Sequence, residues 1–246
     1  MARHMIGVSA MQSHPFHCAD EHPAATHPAP RIVGIAGGSA SGKSELAAMM
    51  AAQLGDDAAV ISQDWYYHDR SALTEDERLK LNFDHPDAFD YTLLRRHLIA
   101  LKTGSKVVPP RYDYATHARV ENHTALAPRR IILLEGLLVL HDPRIRTLLD
   151  FSVFINVPAA TRLTRRLRRD AGARAIPPEE TMRLHHHCVN PMHEQFVQPS
   201  ASHASTVWDQ ADDRSFPQRF AKILRAMLRH GVIPAYETAG HAACAA

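Results

Sequence analysis

The sequence predicts an α/β fold in which a parallel sheet carries helices on both faces. One observation is alternation. From Arg31 onward, short apolar runs and amphipathic segments follow one another as RIVGIA, SELAAMMAAQL, AAVIS, TLLRRHLIAL, RIILLEG, FSVFINV, AATRLTRRLRR and FPQRFAKILRAML. Strand-helix alternation of this kind builds parallel sheets with a helix layer on each side. The other is GGSASGKS, a glycine-rich string between the first strand and the first helix. In such sheets ligands bind beyond the carboxyl ends of the strands.

Before the first strand, residues 1–30 are rich in His, Ala and Pro and show no helical or strand period. They read as a disordered tail. His14, His17, His22 and His27 are metal-capable, but nothing in the tail orders them. MIGVSAM passes into His, Pro and Asp without a small-residue cleavage site, so a secretory signal is not expected. Residues 31–230 are expected to form a single domain and 231–246 a C-terminal tail. Within the domain, KVVPPRYDYATHARVENHTAL mixes turn and strand residues, and 106–127 is read as a small β-excursion near the ligand edge. There is no internal repeat.

Composition narrows the partners. With 28 basic and 26 acidic side chains the net charge is +2, too balanced for a general nucleic-acid footprint. The longest apolar run, IILLEGLLVL, is far shorter than the ~20 residues that span a bilayer, so no membrane partner is expected. Cys18, Cys188 and Cys244 are widely spaced and odd in number. That argues against a disulfide framework or cysteine zinc site and fits a cytoplasmic protein.

GGSASGKS places Gly37, Gly42, Lys43 and Ser44 in the pattern G-x-x-x-x-G-K-[ST] between a strand and a helix. Gly37, Gly38, Ser39, Ala40, Ser41 and Gly42 then curl so that backbone N–H groups face phosphate oxygens. Lys43 reaches the terminal phosphates, and the Ser44 hydroxyl ligates Mg²⁺. The fold class sharpens to a P-loop NTPase-type three-layer sandwich, with ATP or GTP as phosphate donor. A second acid belongs at the end of a buried strand, and IILLEG supplies Glu135 for the Mg²⁺. Neither N-K-x-D nor D-x-x-G occurs, which disfavours a regulatory GTPase. AAVIS leads into Gln63 and Asp64, so Asp64 is the candidate general base for an acceptor hydroxyl.

The stretch NFDHPDAFD sets three aspartates and a histidine among two phenylalanines. One histidine among short carboxylates fits neither a zinc site nor a calcium loop. Asp90, just before YTLLRRHLIAL, is read as a helix cap, with Asp87 in the same turn. In TRLTRRLRRD, Leu163 and Leu167 form the expected packed seam of a basic helix. RLHHHC places His185, His186, His187 and Cys188 in succession, where helical splay keeps them from converging on one ion.

GGSASGKS, ISQDWYY, NFDHPDAFD, PRYDYATHAR, LLEGLLVL, TRLTRRLRRD and NPMHEQFVQPS, in this order, resemble the phosphoribulokinase/uridine kinase family of P-loop kinases, from about Ile32 to Phe220. The resemblance implies transfer of a γ-phosphate to the 5′-hydroxyl of uridine or cytidine, in a protein that associates into homo-oligomers. It implies that Asp84 holds the ribose hydroxyls, with Phe83 and Tyr67 beside the nucleoside. It sets Tyr112 and Tyr114 around the pyrimidine and His117 against the base's 4-position, where either tautomer suits a 4-oxo or a 4-amino group. It further implies a helical lid over 158–196, with Arg166, Arg169 and Arg174 on the transferring phosphate.

The sequence departs from the family pattern in three places. Glu45 stands where threonine is usual and sets a carboxylate beside the α-phosphate, which suits the helix N-terminus but repels nucleotide. The lid reads AGAR in place of E-R-G-R. Leu184 and His185 replace a Gln-Tyr pair near the base. A same-fold kinase acting on another small hydroxyl compound, such as a phosphoribulokinase-like sugar-phosphate kinase, is one alternative; a non-catalytic nucleotide-binding protein is another.

Overall fold

The structure is a computed structural model that describes residues 29–74, 77–78, 81–114, 116, 118–120, 122–210 and 216–233. The tail histidines and His117 lie outside the described residues. Its centre is a five-stranded parallel sheet, ordered β2-β5-β1-β6-β7. These strands are β1 (Arg31–Gly37), β2 (Ala58–Ser62), β5 (Ile131–Gly136), β6 (Phe151–Asn156) and β7 (Thr206–Asp209). β5 is buried along its whole length, as a strand walled on both faces must be. β7 is an edge strand that the sequence pattern does not announce. Only Trp208 of its four residues is buried.

Alternate strand residues feed two cores. On one face Ile32, Ile61, Leu134 and Phe154 meet Leu94, Leu98 and Leu101 of α2 (Tyr91–Lys102). On the other, Val33, Ile35, Leu133 and Val153 meet Leu46 and Met50 of α1 (Lys43–Leu54) and Ile223 and Met227 of α6 (Phe216–Arg229). α2 starts where expected, since Asp90 Oδ1 accepts from Leu93 N at 2.9 Å, a cap that contributes about 1 kcal/mol.

An antiparallel hairpin, β3 (Arg111–Asp113) and β4 (Ala118–Val120), rises from this body above a bridge between Val107 and Leu126. Arg119 ties it down. Its Nε donates to Tyr67 O at 2.8 Å, and its Nη2 lies 3.2 Å from Asp90 Oδ2.

A short helix α3 (Pro143–Arg146) precedes β6, and α4 (Ala159–Ala173) follows it. The expected leucine seam of α4 is corrected here: Leu163 and Leu167 are only half-buried, whereas Arg162 and Asp170 are buried. The helix lies with its polar face against the phosphate loop, so its buried stripe is charged.

α5 (Pro178–Leu184) continues through a π turn at His185–Val189, a segment Asn190–Met192, a second π turn at His193–Val197 and Gln198–Ser200. Each wide turn ends two residues before a proline, Pro191 or Pro199, whose ring collides with the carbonyl four residues back in a regular helix. His185 and His193 point inward, while His186 and His187 are exposed. Among the described residues no three His, Cys, Asp or Glu side chains are grouped to hold a metal ion, and no helix is long and apolar enough to cross a membrane.

Candidate active site

The phosphate loop closes through backbone geometry. Gly37 has φ 149°, and a side chain there would strike Ile155 O and Ser41 Oγ. Gly42 begins α1 at φ 94° with no side-chain cap, which leaves the first-turn N–H groups open to an anion. Ala40, at φ 60°, carries the remaining strained turn. Gly38 is required for a different reason. A Cβ there would sit 2.9 Å from Arg162 Cδ and 3.0 Å from His193 Cε1, two buried side chains braced against the loop.

Lys43 folds back over the loop and donates to Gly38 O at 2.9 Å. Burial pulls its pKa down, while Glu135, Asp64 and Asp84 pull it up. Ser44 Oγ donates to Glu135 Oε2 at 3.1 Å. Glu135 ends β5 in register with Ile35 and Ser62 and is buried rather than exposed. Burial raises its pKa, with Lys43 and the Ser62 and Ser44 hydroxyls opposing. A hydroxyl and a carboxylate oxygen thus meet beside a lysine, and such hard oxygen donors fit Mg²⁺. Glu45 is exposed in the first turn of α1.

Asp64 lies in the single 3₁₀ turn after β2, Gln63–Tyr66. The neighbouring Gln63 sets its position: its side chain packs on Gly136, and its Oε1 accepts from Leu138 N at 2.8 Å, locking the ends of β2 and β5 together. Tyr114 Oη donates to Asp64 Oδ2 at 2.9 Å. Asp84 stands within the same field. Burial raises its pKa and Asp64 adds to the rise, whereas Arg166, Lys43 and Arg169 oppose it.

An aromatic wall backs the two aspartates. Tyr67 stacks on Phe89 with ring centres 4.4 Å apart and meets Phe83 edge-on at 5.7 Å and Tyr112 at 5.1 Å. Tyr67 and Tyr112 are buried within this wall, whereas Tyr114 is 47% exposed at the hairpin tip. Burial pushes the Tyr112 hydroxyl up to about 12. From the other side, Arg166 Nη1 donates to Ser39 Oγ at 2.9 Å, and the Arg174 guanidinium lies 5.2 Å over the Tyr114 ring. Arg169 reaches the same area and donates to Asp170 at 2.9 Å.

The sequence-selected Lys43, Ser44, Asp64, Asp84, Tyr114, Glu135, Arg166, Arg169 and Arg174 therefore share one end of the sheet. Sequence reasoning passed over Gln63, Asp170, and the Arg162–His193 brace. Asp170 had a signal, since it follows Arg166 by four residues and precedes Arg174 by four. The brace joins side chains 31 positions apart in sequence and had none.

Known proteins resemble this chain in sequence and in fold. A uridine kinase of Clostridium perfringens is 41% identical over 179 residues, covering 72% of this chain and 86% of the relative. A uridine kinase of Vibrio vulnificus is 43% identical over 181 residues, covering 72% and 85%. Phosphoribulokinase from Rhodobacter spheroides shares the fold with TM-score 0.55 at 12% identity, over 73% of this chain and 70% of that one. A possible uridine kinase from Bacillus stearothermophilus does so with TM-score 0.51 at 20% identity, over 76% and 92%. The profile of the Phosphoribulokinase / Uridine kinase family matches residues 32–216, and the chain belongs to that family.

Proposed function

We propose that the protein is a nucleoside kinase that moves the γ-phosphate of ATP or GTP to the 5′-hydroxyl of uridine or cytidine. The observation that carries this is the placing of Asp64 and Asp84 in one electrostatic neighbourhood with Lys43, beside an aromatic wall. Similarity to uridine kinases of which this chain covers more than four fifths supports the acceptor class.

Asp84 accepts hydrogen bonds from the ribose hydroxyls and fixes the sugar, with Phe83 against it. Tyr114 gives up its bond to Asp64 as the substrate hydroxyl arrives. Asp64 takes the proton of the 5′-hydroxyl as that oxygen attacks the γ-phosphorus, whose bond to the β–γ bridging oxygen breaks to release the nucleoside diphosphate. Lys43 and the first-turn N–H groups of α1 orient the phosphates, and Arg166, Arg169 and Arg174 balance charge on the transferring group. Ser44 and Glu135 would hold Mg²⁺, which would supply positive charge to offset that of the phosphates.

The test is phosphate transfer from ATP-Mg²⁺ to uridine, cytidine, adenosine, ribose and ribulose 5-phosphate, with ATP hydrolysis followed in parallel. Transfer to the two pyrimidine nucleosides alone is expected. Transfer to ribulose 5-phosphate instead would move the protein to the sugar-phosphate branch, and ATP binding with no transfer would make it a nucleotide-binding protein.

A further inference from the structure

Asp170 is the one acidic residue of α4 and is fully buried, yet it sits in the helix's last turn, where a negative charge opposes the helix dipole. Helix stability therefore does not account for it. What surrounds it does. Arg169 Nε donates to Asp170 Oδ1 at 2.9 Å, and Arg169 Nη2 lies 2.8 Å from the same oxygen. Arg166 Nε lies 3.2 Å from Oδ2, and Arg174 Nη1 lies 3.7 Å from Oδ1.

These are the three cations assigned above to the transferring phosphate, and two of them continue outward. Arg166 also holds Ser39 of the phosphate loop, and Arg174 covers Tyr114, whose hydroxyl engages Asp64. A chain of contacts thus runs from the phosphate loop through Asp170 to the candidate base. Three guanidinium groups gathered in one place repel one another. Ser39, Tyr114 and the field of Asp84 each engage some of them, and a single counter-charge in contact with all three offsets the repulsion before a nucleotide arrives. Asp170 is that counter-charge, and its burial keeps water from competing for it.

We propose that Asp170 is a positioning residue: it assembles Arg166, Arg169 and Arg174 into one cluster in the absence of nucleotide and shares them with the triphosphate once it binds. The proposal rests on the reading of those arginines as phosphate-facing groups. It separates from a merely structural role through a split in the kinetics. Neutralising Asp170 disperses the cluster and slows transfer, but it also unmasks positive charge, so nucleotide binding does not weaken. Loss of a structural acid weakens both.

The test compares the full chain with its Asp170→Asn and Asp170→Glu variants, measuring kcat with the acceptor that the unmodified protein turns over, the ATP dissociation constant by calorimetry, and thermal unfolding. Asp170→Asn is expected to lower kcat by about 10- to 100-fold while ATP binds as tightly or more tightly. Asp170→Glu keeps the charge but shifts it by one methylene, so its kcat falls between the two with ATP affinity unchanged. A kcat for Asp170→Asn within about twofold of the unmodified protein would overturn the proposal, as would a joint loss of kcat and ATP affinity. If Asp170→Asn does not fold, Asp170→Glu decides, and full kcat in that variant counts against the proposal. If the unmodified protein phosphorylates no acceptor, the proposed function fails separately, and weaker ATP binding by Asp170→Asn then overturns the role of Asp170.

Discussion

Tyr114 Oη donates a 2.9 Å hydrogen bond to Oδ2 of Asp64, so the candidate base is already engaged by the hairpin that closes over it. The bond links β3 and β4 to the end of β2 and marks where an acceptor hydroxyl would enter. Asp64→Asn keeps that shape and removes the proton acceptor. It is expected to lower kcat by about 100- to 10,000-fold while uridine still binds. A fully active variant would remove Asp64 from the mechanism.

The same bond yields a contrasting expectation for Tyr114→Phe. The hydroxyl leaves Asp64 when substrate arrives, so its loss should keep kcat within about threefold. A collapse comparable to that of Asp64→Asn would make Tyr114 a participant in proton transfer. Steady-state kinetics on the two variants decide the matter.

Gly38 and Gly172 make a paired test of packing. A methyl at Gly38 meets Arg162 Cδ and Nη1, both at 2.9 Å, and His193 Cε1 at 3.0 Å, and neither buried side chain can swing into solvent. Gly38→Ala is expected to cost about 1–3 kcal/mol and to weaken ATP binding, because relief of the clash displaces the phosphate loop. A Cβ at Gly172, in α4, meets nothing within 4 Å, and Gly172→Ala should stabilise by about 0.4–1 kcal/mol. Thermal unfolding with and without nucleotide reads both, and equal effects at the two sites would refute the brace.

Glu45 occupies the first turn of α1, exposed beside the loop that would take the triphosphate. Its charge suits the helix N-terminus and opposes nucleotide. Glu45→Thr should therefore tighten ATP binding several-fold while lowering stability by about 0.3–1 kcal/mol. Unchanged ATP affinity would mean that solvent screens Glu45 from the phosphates.

How much of this was legible in the sequence follows from the range of each interaction. The phosphate loop, Glu135 and the Asp90 cap each depend on residues adjacent in the chain, and the pattern names them directly. β7 is short and half-exposed, and among the described strands it pairs with β6 alone, so its four residues carry no alternation to read. The basic run of α4 reads as a solvated face until its partner surface is known. That surface is the phosphate loop, where Ser39 lies 127 residues before Arg166. The π turns of the long helix reset the phase of its inward face, and a 3.6-residue period cannot anticipate which histidines it buries.

One of those histidines makes folding stability depend on pH. His193 is packed against Arg162 behind Gly38, with Nε2 3.1 Å from Gln198 Oε1, and burial first and Arg162 second lower its pKa from 6.5 to about 4. The folded protein therefore leaves this imidazole neutral at pH values where the unfolded chain has already protonated it. Between about 6.5 and 4 the unfolded state binds the extra proton, so stability falls as pH falls and is fully present above about 6.5. The full shift corresponds to about 3 kcal/mol. His185, also buried and lowered in pKa, contributes in the same direction, so the diagnostic quantity is a difference between proteins. Melting temperatures of the natural chain and of His193→Gln, compared from pH 7.5 to 4.5, should converge or cross as the pH drops, because the variant has no imidazole to protonate. Parallel curves would show that His193 takes up its proton without leaving the brace.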